Sequence, residues 1–398
     1  MAQFGDFTVD RNSTKYVLGS GGTIISYATD EPAFEFNSDG SYKGLLVEPA
    51  ATNICLQSED FSTTWADDNS SFQQASTEET PDGDTSSKNI KLVDTSAGGT
   101  GAVYVYQTIT VAANTKYTAS VFLKADQLSF ARLSASDYDG STDGVQFFEL
   151  SGAGTKGTAS NLDDSKIEAY PNGWYRCSIT WTQGAADTNF LFIIRVADSI
   201  SNDNVDRDGT SSIFVWGAQV ELGPIATSYI PTTTASVTRN KDDISLTGAS
   251  NLIGQSEGTL YVEVDWKEAS GTYQFLLSLN DGTLSNRIVI YNTIGGSLFM
   301  FAAADGTILT QQGELSSGYS GIQKIAFAYK SGDFELYRNG SSISSESDPA
   351  DSLATLATLT DIDLGQFVNE IYQANMHIRA VALYKERLSD AQCIALTS

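Results

Sequence analysis

Apolar and polar positions alternate with a period of two over much of this chain, the pattern of strands that bury one face. In AVYVYQTITV, Val103, Val105, Ile109 and Val111 share one face, opposite Tyr104, Tyr106, Thr108 and Thr110. KYTASVFLKA repeats the pattern, and in NFLFIIRVA the residues Phe190, Phe192, Ile194 and Val196 face inward. Further strands are expected at 130–136, 144–150, 174–183 and 211–221. About eight strands with no helical stretch between them predict a jelly-roll sandwich.

Beyond residue 243 the segments GTLYVEVDW, YQFLLSLN, RIVIY, SLFMFAA, IQKIAFAYK and DFELYR read as short strands. Turns at Asp281-Gly282, Asp305-Gly306 and Asn339-Gly340 punctuate them, so a second sandwich of about ten strands is expected. PTTTASVTRNKDD, residues 231–243, lacks a core pattern and reads as the linker. Residues 1–53 alternate short extended pieces with turns at Ser20-Gly21-Gly22 and Asp39-Gly40, and are expected as an extended segment too thin to fold alone. In RLSDAQCIALTS, Ser389 with Gln392 three residues on forms a capping box for a short terminal helix. The fold class is therefore all-β: two β-sandwich (jelly-roll) domains in tandem, 54–230 and 244–398, with an extended N-terminal segment and a short C-terminal helix.

Composition agrees: 18 Tyr, 19 Phe and 34 Gly with only 18% charged residues suit strands and turns better than a helical bundle. The net charge of −26 repels phosphate backbones and anionic headgroups, which argues against nucleic acid and against membrane insertion as partners. The start MAQFGDFTVD has neither a basic region nor an apolar run of signal-peptide length, so a protein made in the cytoplasm is expected. Cys55, Cys177 and Cys393 are too scattered for a disulfide framework or zinc site and are expected to be buried and apolar in role. His377 is the only histidine, which excludes multi-histidine metal sites, and its place in NMHIRAVALY favours a strand position over a catalytic base.

The string GLLVEPAATNICLQSEDFSTTW, residues 44–65, resembles the opening of a module found in bacteriophage head-spike, head-fibre and tail-fibre proteins. The resemblance continues through Tyr117 to Lys124, Gly173-Trp174-Tyr175-Arg176, Trp216-Gly217-Ala218-Gln219 with Glu221, Ser228 to Thr232, and Thr238-Arg239. DRNSTKYVLGSGGTII resembles that family's leading segment, so about residues 1–240 are covered. One departure is Ala51, which stands where the family usually has Arg. KIAFAYKSGDFELYRNGSSI followed by IRAVALYKERLSDAQ resembles a concanavalin A-like, laminin-G-like sandwich.

What the resemblance implies is a virion structural protein. It would be a surface-exposed head spike, head fibre or capsid decoration protein that attaches to capsid or tail proteins through residues 1–53. Its carbohydrate-binding-type sandwiches would face host or environmental glycans. A homo-oligomer, a trimer foremost, and a place on the virion surface go with that reading. The alternatives are a tail-fibre receptor-binding protein and a polysaccharide-degrading glycoside hydrolase.

Three groups of residues are candidates for chemistry. Tyr104 and Tyr106, outward by strand parity, could stack on sugar rings, or could instead cover the second sheet's edge or the N-terminal segment. Asn204, Asp206 and Asp208, followed by Gly209, match the opening of a calcium loop, although the twelfth position is Val215 in place of Glu. Otherwise this is a solvated turn, and no cofactor is required. Glu263-Val264-Asp265-Trp266-Lys267-Glu268 matches the E-x-D-x-x-E pattern of retaining glycosidases, with a solvent-facing acidic strand as the alternative. The reading taken is non-catalytic. Trp174 and Trp216 are expected in a core or corner.

Overall fold

The computed structural model describes residues 6–75, 78–86, 88–266, 273–314, 321–368 and 372–398. The protein is all-β with one short C-terminal helix, and its strands form two sandwiches with separate cores.

The first sandwich packs two six-stranded antiparallel sheets. One runs in the order Thr155–Ser160, Thr142–Glu149, Phe130–Asp139, Asn189–Ala197, Tyr104–Thr110, Ala66–Asp68. Its partner runs Asp164–Ala169, Trp174–Thr182, Lys116–Ala125, Ser212–Leu222, Lys88–Asp94, Ser70–Ala75. Val105, Ile109, Phe190, Phe192, Ile194, Trp181 and Val215 meet in its core, on the faces that the alternation predicts. Gln107 breaks the apolar pattern at an inward position because its amide is paired at both ends: Oε1 accepts from Leu56 N and Nε2 donates to Leu56 O, each at 2.9 Å.

The second sandwich has two seven-stranded sheets and takes strands from both ends of the sequence. Its first sheet runs Thr8–Asp10, Asp243–Leu246, Asp361–Leu364, Gln274–Asn280, Arg287–Asn292, Leu298–Ala304, Thr307–Glu314. Its second runs Ser341–Glu346, Asp333–Arg338, Gly321–Lys330, Glu257–Trp266, Met376–Tyr384, Tyr42–Val47, Phe34–Phe36.

Residues 1–53, expected as a separate attachment segment, are therefore corrected to an integral part of the fold where they are described. Val9 pairs with Ile244, Leu45 with Ile378, and Leu45 and Val47 are buried in the second core. The chain enters the C-terminal sandwich, leaves to build the first one, and returns. Its outgoing and incoming passes pair with each other, Ala51–Asn53 against Val237–Arg239, so the expected linker contains a strand. The hairpin of Lys15–Leu18 and Ile24–Tyr27 lies on the first sandwich, where Ile24 joins Phe122, Trp174, Trp216 and Tyr229 in one buried cluster. Trp174 and Trp216 thus fill the seam beneath the N-terminal hairpin.

The motif around Trp216 has a geometric cause. Trp216 pairs with Phe122 and Gln219 with Ser120, so Gly217 and Ala218 form a bulge opposite Val121, and Val215 and Ala218 both enter the first core. Gly217 takes φ +66° there, and an added Cβ would lie 2.9 Å from the Phe122 ring. Ordinary alternation after Val215 turns Trp216 into the seam, and the bulge returns Ala218 and Val220 to the first core.

The helix Asp390–Thr397 begins with the predicted capping box, Ser389 N donating to Gln392 Oε1 at 2.9 Å. Cys393 and Leu388 pack it against Tyr261, Ala326, Ala328 and Tyr337. All three cysteines are free and buried. Among the described residues no helix is long and apolar enough to cross a membrane.

Candidate functional site

The residues singled out in the sequence fall in separate places. Tyr104 and Tyr106 stand half-buried on the outer face of the first sandwich, ring centroids 6.1 Å apart. Arg195 lies over the Tyr104 ring at 4.4 Å and is itself held by Asp203 at 2.9 Å. This pair is therefore capped by a tethered cation.

At the calcium-like loop, Asp206 pairs with Thr100 as part of a short ladder. The Asp208 carboxylate accepts from the hydroxyl and backbone N–H of Thr210, at 2.7 and 2.9 Å, which hold it below the usual carboxylate range. Asn204 N donates to Asn202 Oδ1 at 3.1 Å. Asp94 organises the loop from outside the motif, accepting from Gly209 N at 2.7 Å and Ser211 N at 2.9 Å. Among the described residues no three His, Cys, Asp or Glu side chains converge as a metal site. The carboxylates here serve turn geometry.

Glu263 lies on a central strand, flanked by Gly321–Lys330 and Met376–Tyr384, and not at a sheet edge. Both of its oxygens are engaged: Oε1 accepts from Arg379 Nε at 2.8 Å and Oε2 from the Tyr261 hydroxyl at 3.3 Å. Lys267 and Glu268 lie outside the described residues. Asp265 lines a cavity of about 320 Å³ where the N-terminal hairpin and both sandwiches meet. His377 is fully buried at that cavity with its Nε2 against the Glu35 carboxylate, to which Lys43 also pairs at 3.5 Å. The strand position of His377 is as the sequence indicates. Its partner comes from the N-terminal segment, which no local pattern announces.

A different surface carries the densest unexplained aromatic chemistry. On the first sheet of the C-terminal sandwich Ile288, Ile290, Leu298, Met300 and Ala302 face the core. The alternate positions Val289, Tyr291, Phe299, Phe301 and Ala303 face the other way and are apolar too. A bulge between Phe275 and Leu277 sends Leu276 and Leu277 into the core and leaves Phe275 on this outer face.

Phe275 stacks on Tyr291 at 5.3 Å and touches Phe367 at 4.2 Å, while Tyr291 stacks on Phe299 at 5.6 Å. Tyr273 and Tyr372, ring centroids 5.6 Å apart, complete the group, and both are 36% exposed. At the other end Arg287 lays its guanidinium over Phe301 at 4.5 Å and Phe367 at 5.5 Å. The result is an apolar platform with exposed tyrosine edges and a cation at its margin. The signal was in the sequence: RIVIY and SLFMFAA are apolar at both parities, which a strand with one wet face does not require.

No family model matches the chain, and no curated protein matches it. Among solved structures it is similar to the CBM40 module of a Ruminococcus gnavus IT-sialidase, with 20% identity, a TM-score of 0.33, and coverage of 38% of this chain and 87% of that one. It is similar to a SAP-like pentraxin from Limulus polyphemus at 12% identity and TM-score 0.29, covering 36% of this chain and 70% of the pentraxin. CG-16, a homodimeric agglutinin from chicken liver, matches at 6% identity and TM-score 0.23, covering 33% and 96%.

Proposed function

We propose that this chain is a non-catalytic adhesion protein that binds glycan through the outer face of its C-terminal sandwich and is carried on the surface of a bacteriophage particle. The observation that carries the binding reading is the Tyr273–Tyr372 edge of the aromatic platform. Sugar rings present apolar C–H faces that stack on aromatic rings, and hydroxyls that pair with adjacent polar groups. Gln311, exposed beside the rings and donating to the Tyr291 hydroxyl at 3.0 Å, supplies one such polar group.

The non-catalytic reading is supported by Glu263, whose carboxylate is bound on both oxygens and so is not poised as a nucleophile. The particle reading rests on the motif resemblance. Because strands within residues 6–53 pair inside this chain, capsid or tail contact belongs to the outer surface of the folded body, and a free arm is not part of the proposal. A homotrimeric spike or fibre is the assembly proposed.

Two experiments test this. A glycan array probed with the full chain is expected to give selective binding, and an array blank across all classes overturns the binding reading. Reconstruction of intact particles is expected to place the chain on the head. Density at the tail tip makes it a receptor-binding fibre instead, and absence from particles removes the virion role.

A further inference from the structure

Arg287 stands apart from the other arginines of the chain. Each of the others donates to an oxygen: Arg11 to Asp242, Arg132 and Arg195 to Asp203, Arg379 to Glu263, and the rest likewise to carboxylate, hydroxyl, amide or carbonyl groups. Arg287 has no such partner among the described residues; its Nε–H is buried without an acceptor, as are those of Arg132, Arg176, Arg195, Arg207, Arg239 and Arg387, whose terminal nitrogens are paired. Burial in the aromatic cluster lowers its pKa, and no neighbouring carboxylate acts against that effect. In a chain with 49 acidic and 23 basic side chains, Arg287 is left with no oxygen partner of any kind among the described residues.

The stacking geometry says what could satisfy it. With its Cζ over Phe301 at 4.5 Å and over Phe367 at 5.5 Å, the guanidinium is held between two rings that offer its N–H groups no oxygen acceptor. A planar fork of donors held in that way matches a carboxylate bidentately. The low-dielectric aromatic bed strengthens such a pair relative to one in water.

We infer that the platform is selective for acidic glycans: a sugar ring lies against the Tyr273–Tyr372 end, and its carboxylate or that of an adjoining residue pairs with Arg287. This rests on the proposal that the platform binds glycan. Phe275, Tyr291 and Phe367 span the distance between the two ends and hold both in fixed orientation. Against a net charge of −26, Arg287 supplies the local positive charge that an acidic ligand needs at this face.

The test titrates the full chain with a hexuronate oligosaccharide, with sialyllactose, with the carboxyl-reduced form of each, and with neutral cellotetraose. Wild-type protein is expected to bind at least one acidic probe about tenfold or more tighter than its carboxyl-reduced form. Which of the two acidic probes shows this separates hexuronate from sialic acid as the source of the carboxylate. Arg287→Gln is expected to remove that preference with an unchanged urea midpoint, and Arg287→Lys to restore only part of it. Equal affinity for acidic and reduced probes overturns the inference while leaving glycan binding in place. Absence of binding to every probe overturns both. If Arg287→Gln is unstable, the comparison of acidic and reduced probes on the wild-type chain still decides the question.

Discussion

Lys15 and Asp242 are 227 positions apart and meet in a fully buried ion pair with Nζ–Oδ2 at 2.5 Å. Glu48 lies 3.2 Å from the same Nζ, Arg11 pairs with the other Asp242 oxygen at 3.0 Å, and Arg239 lies 3.6 Å from Glu48. None of the five side chains is more than 1% exposed. Glu48 Oε1 also accepts from Ser228 N at 2.9 Å. The cluster thus clamps the N-terminal segment, the outgoing pass, the end of the first sandwich and the returning pass at one point.

Breaking this clamp leaves a buried charge uncompensated, which costs about 3–5 kcal/mol. Lys15→Ala and Asp242→Ala are each expected to lower stability by that amount in urea unfolding. The double variant is expected to cost less than the sum of the two, since a shared interaction is lost only once. Additive losses would show that the pair is not coupled.

Gly217→Ala forces a Cβ toward the Phe122 ring at a positive φ. A loss of about 1–3 kcal/mol is expected, with a change in tryptophan fluorescence because Trp216 shares the seam. Gly223→Ala, also at positive φ but with open space around its Cβ, separates backbone strain from crowding.

Acid sensitivity is expected to involve Asp203. Burial by itself raises its pKa, but the hydrogen bonds and charges of Arg132 and Arg195 outweigh this and hold it below the ordinary 3.8. A depressed folded value means that this carboxylate contributes stability fully above the unfolded pKa and loses it as pH falls through the folded one. Asp203→Asn is therefore expected to be less stable than wild type at neutral pH, with the difference closing as pH drops below 3.8. A difference independent of pH would remove the charge from the explanation.

Thiol reactivity offers a fourth check. Burial raises the pKa of all three cysteines, Cys393 to about 11, so few thiolates form at neutral pH and none is accessible. Ellman's reagent is expected to react with no thiol in the native protein and with all three after denaturation. Rapid reaction in the native state would place at least one cysteine at a surface.

The strands and the all-β class were legible because side-chain alternation is local: Val105, Ile109, Phe190 and Phe192 each face where parity puts them. The partners of the first 53 residues were not, because pairing such as Leu45 with Ile378 is written in no neighbouring residue. The motif residues were visible but their purpose was hidden. Asn53, which donates to Ile230 O at 2.8 Å and accepts from Cys55 N and Val220 N at 3.0 Å, is a buried knot of the junction. The aromatic platform is not marked as a surface by any local pattern, whereas parity alone turns Tyr104 and Tyr106 outward. Its signal, apolar residues at both parities of RIVIY, is shared with any strand covered on both faces.

The measurement that tests the central claim most directly is calorimetric titration of the best array glycan into two double variants. Tyr273→Ala with Tyr372→Ala removes the platform edge, and Tyr104→Ala with Tyr106→Ala removes the tyrosine pair of the first sandwich. Binding by the C-terminal platform predicts that the first loses affinity by at least about tenfold, as stacking contacts of 1–3 kcal/mol imply, while the second binds as wild type does. Undiminished binding by the Tyr273/Tyr372 variant, or loss confined to the Tyr104/Tyr106 variant, would contradict it.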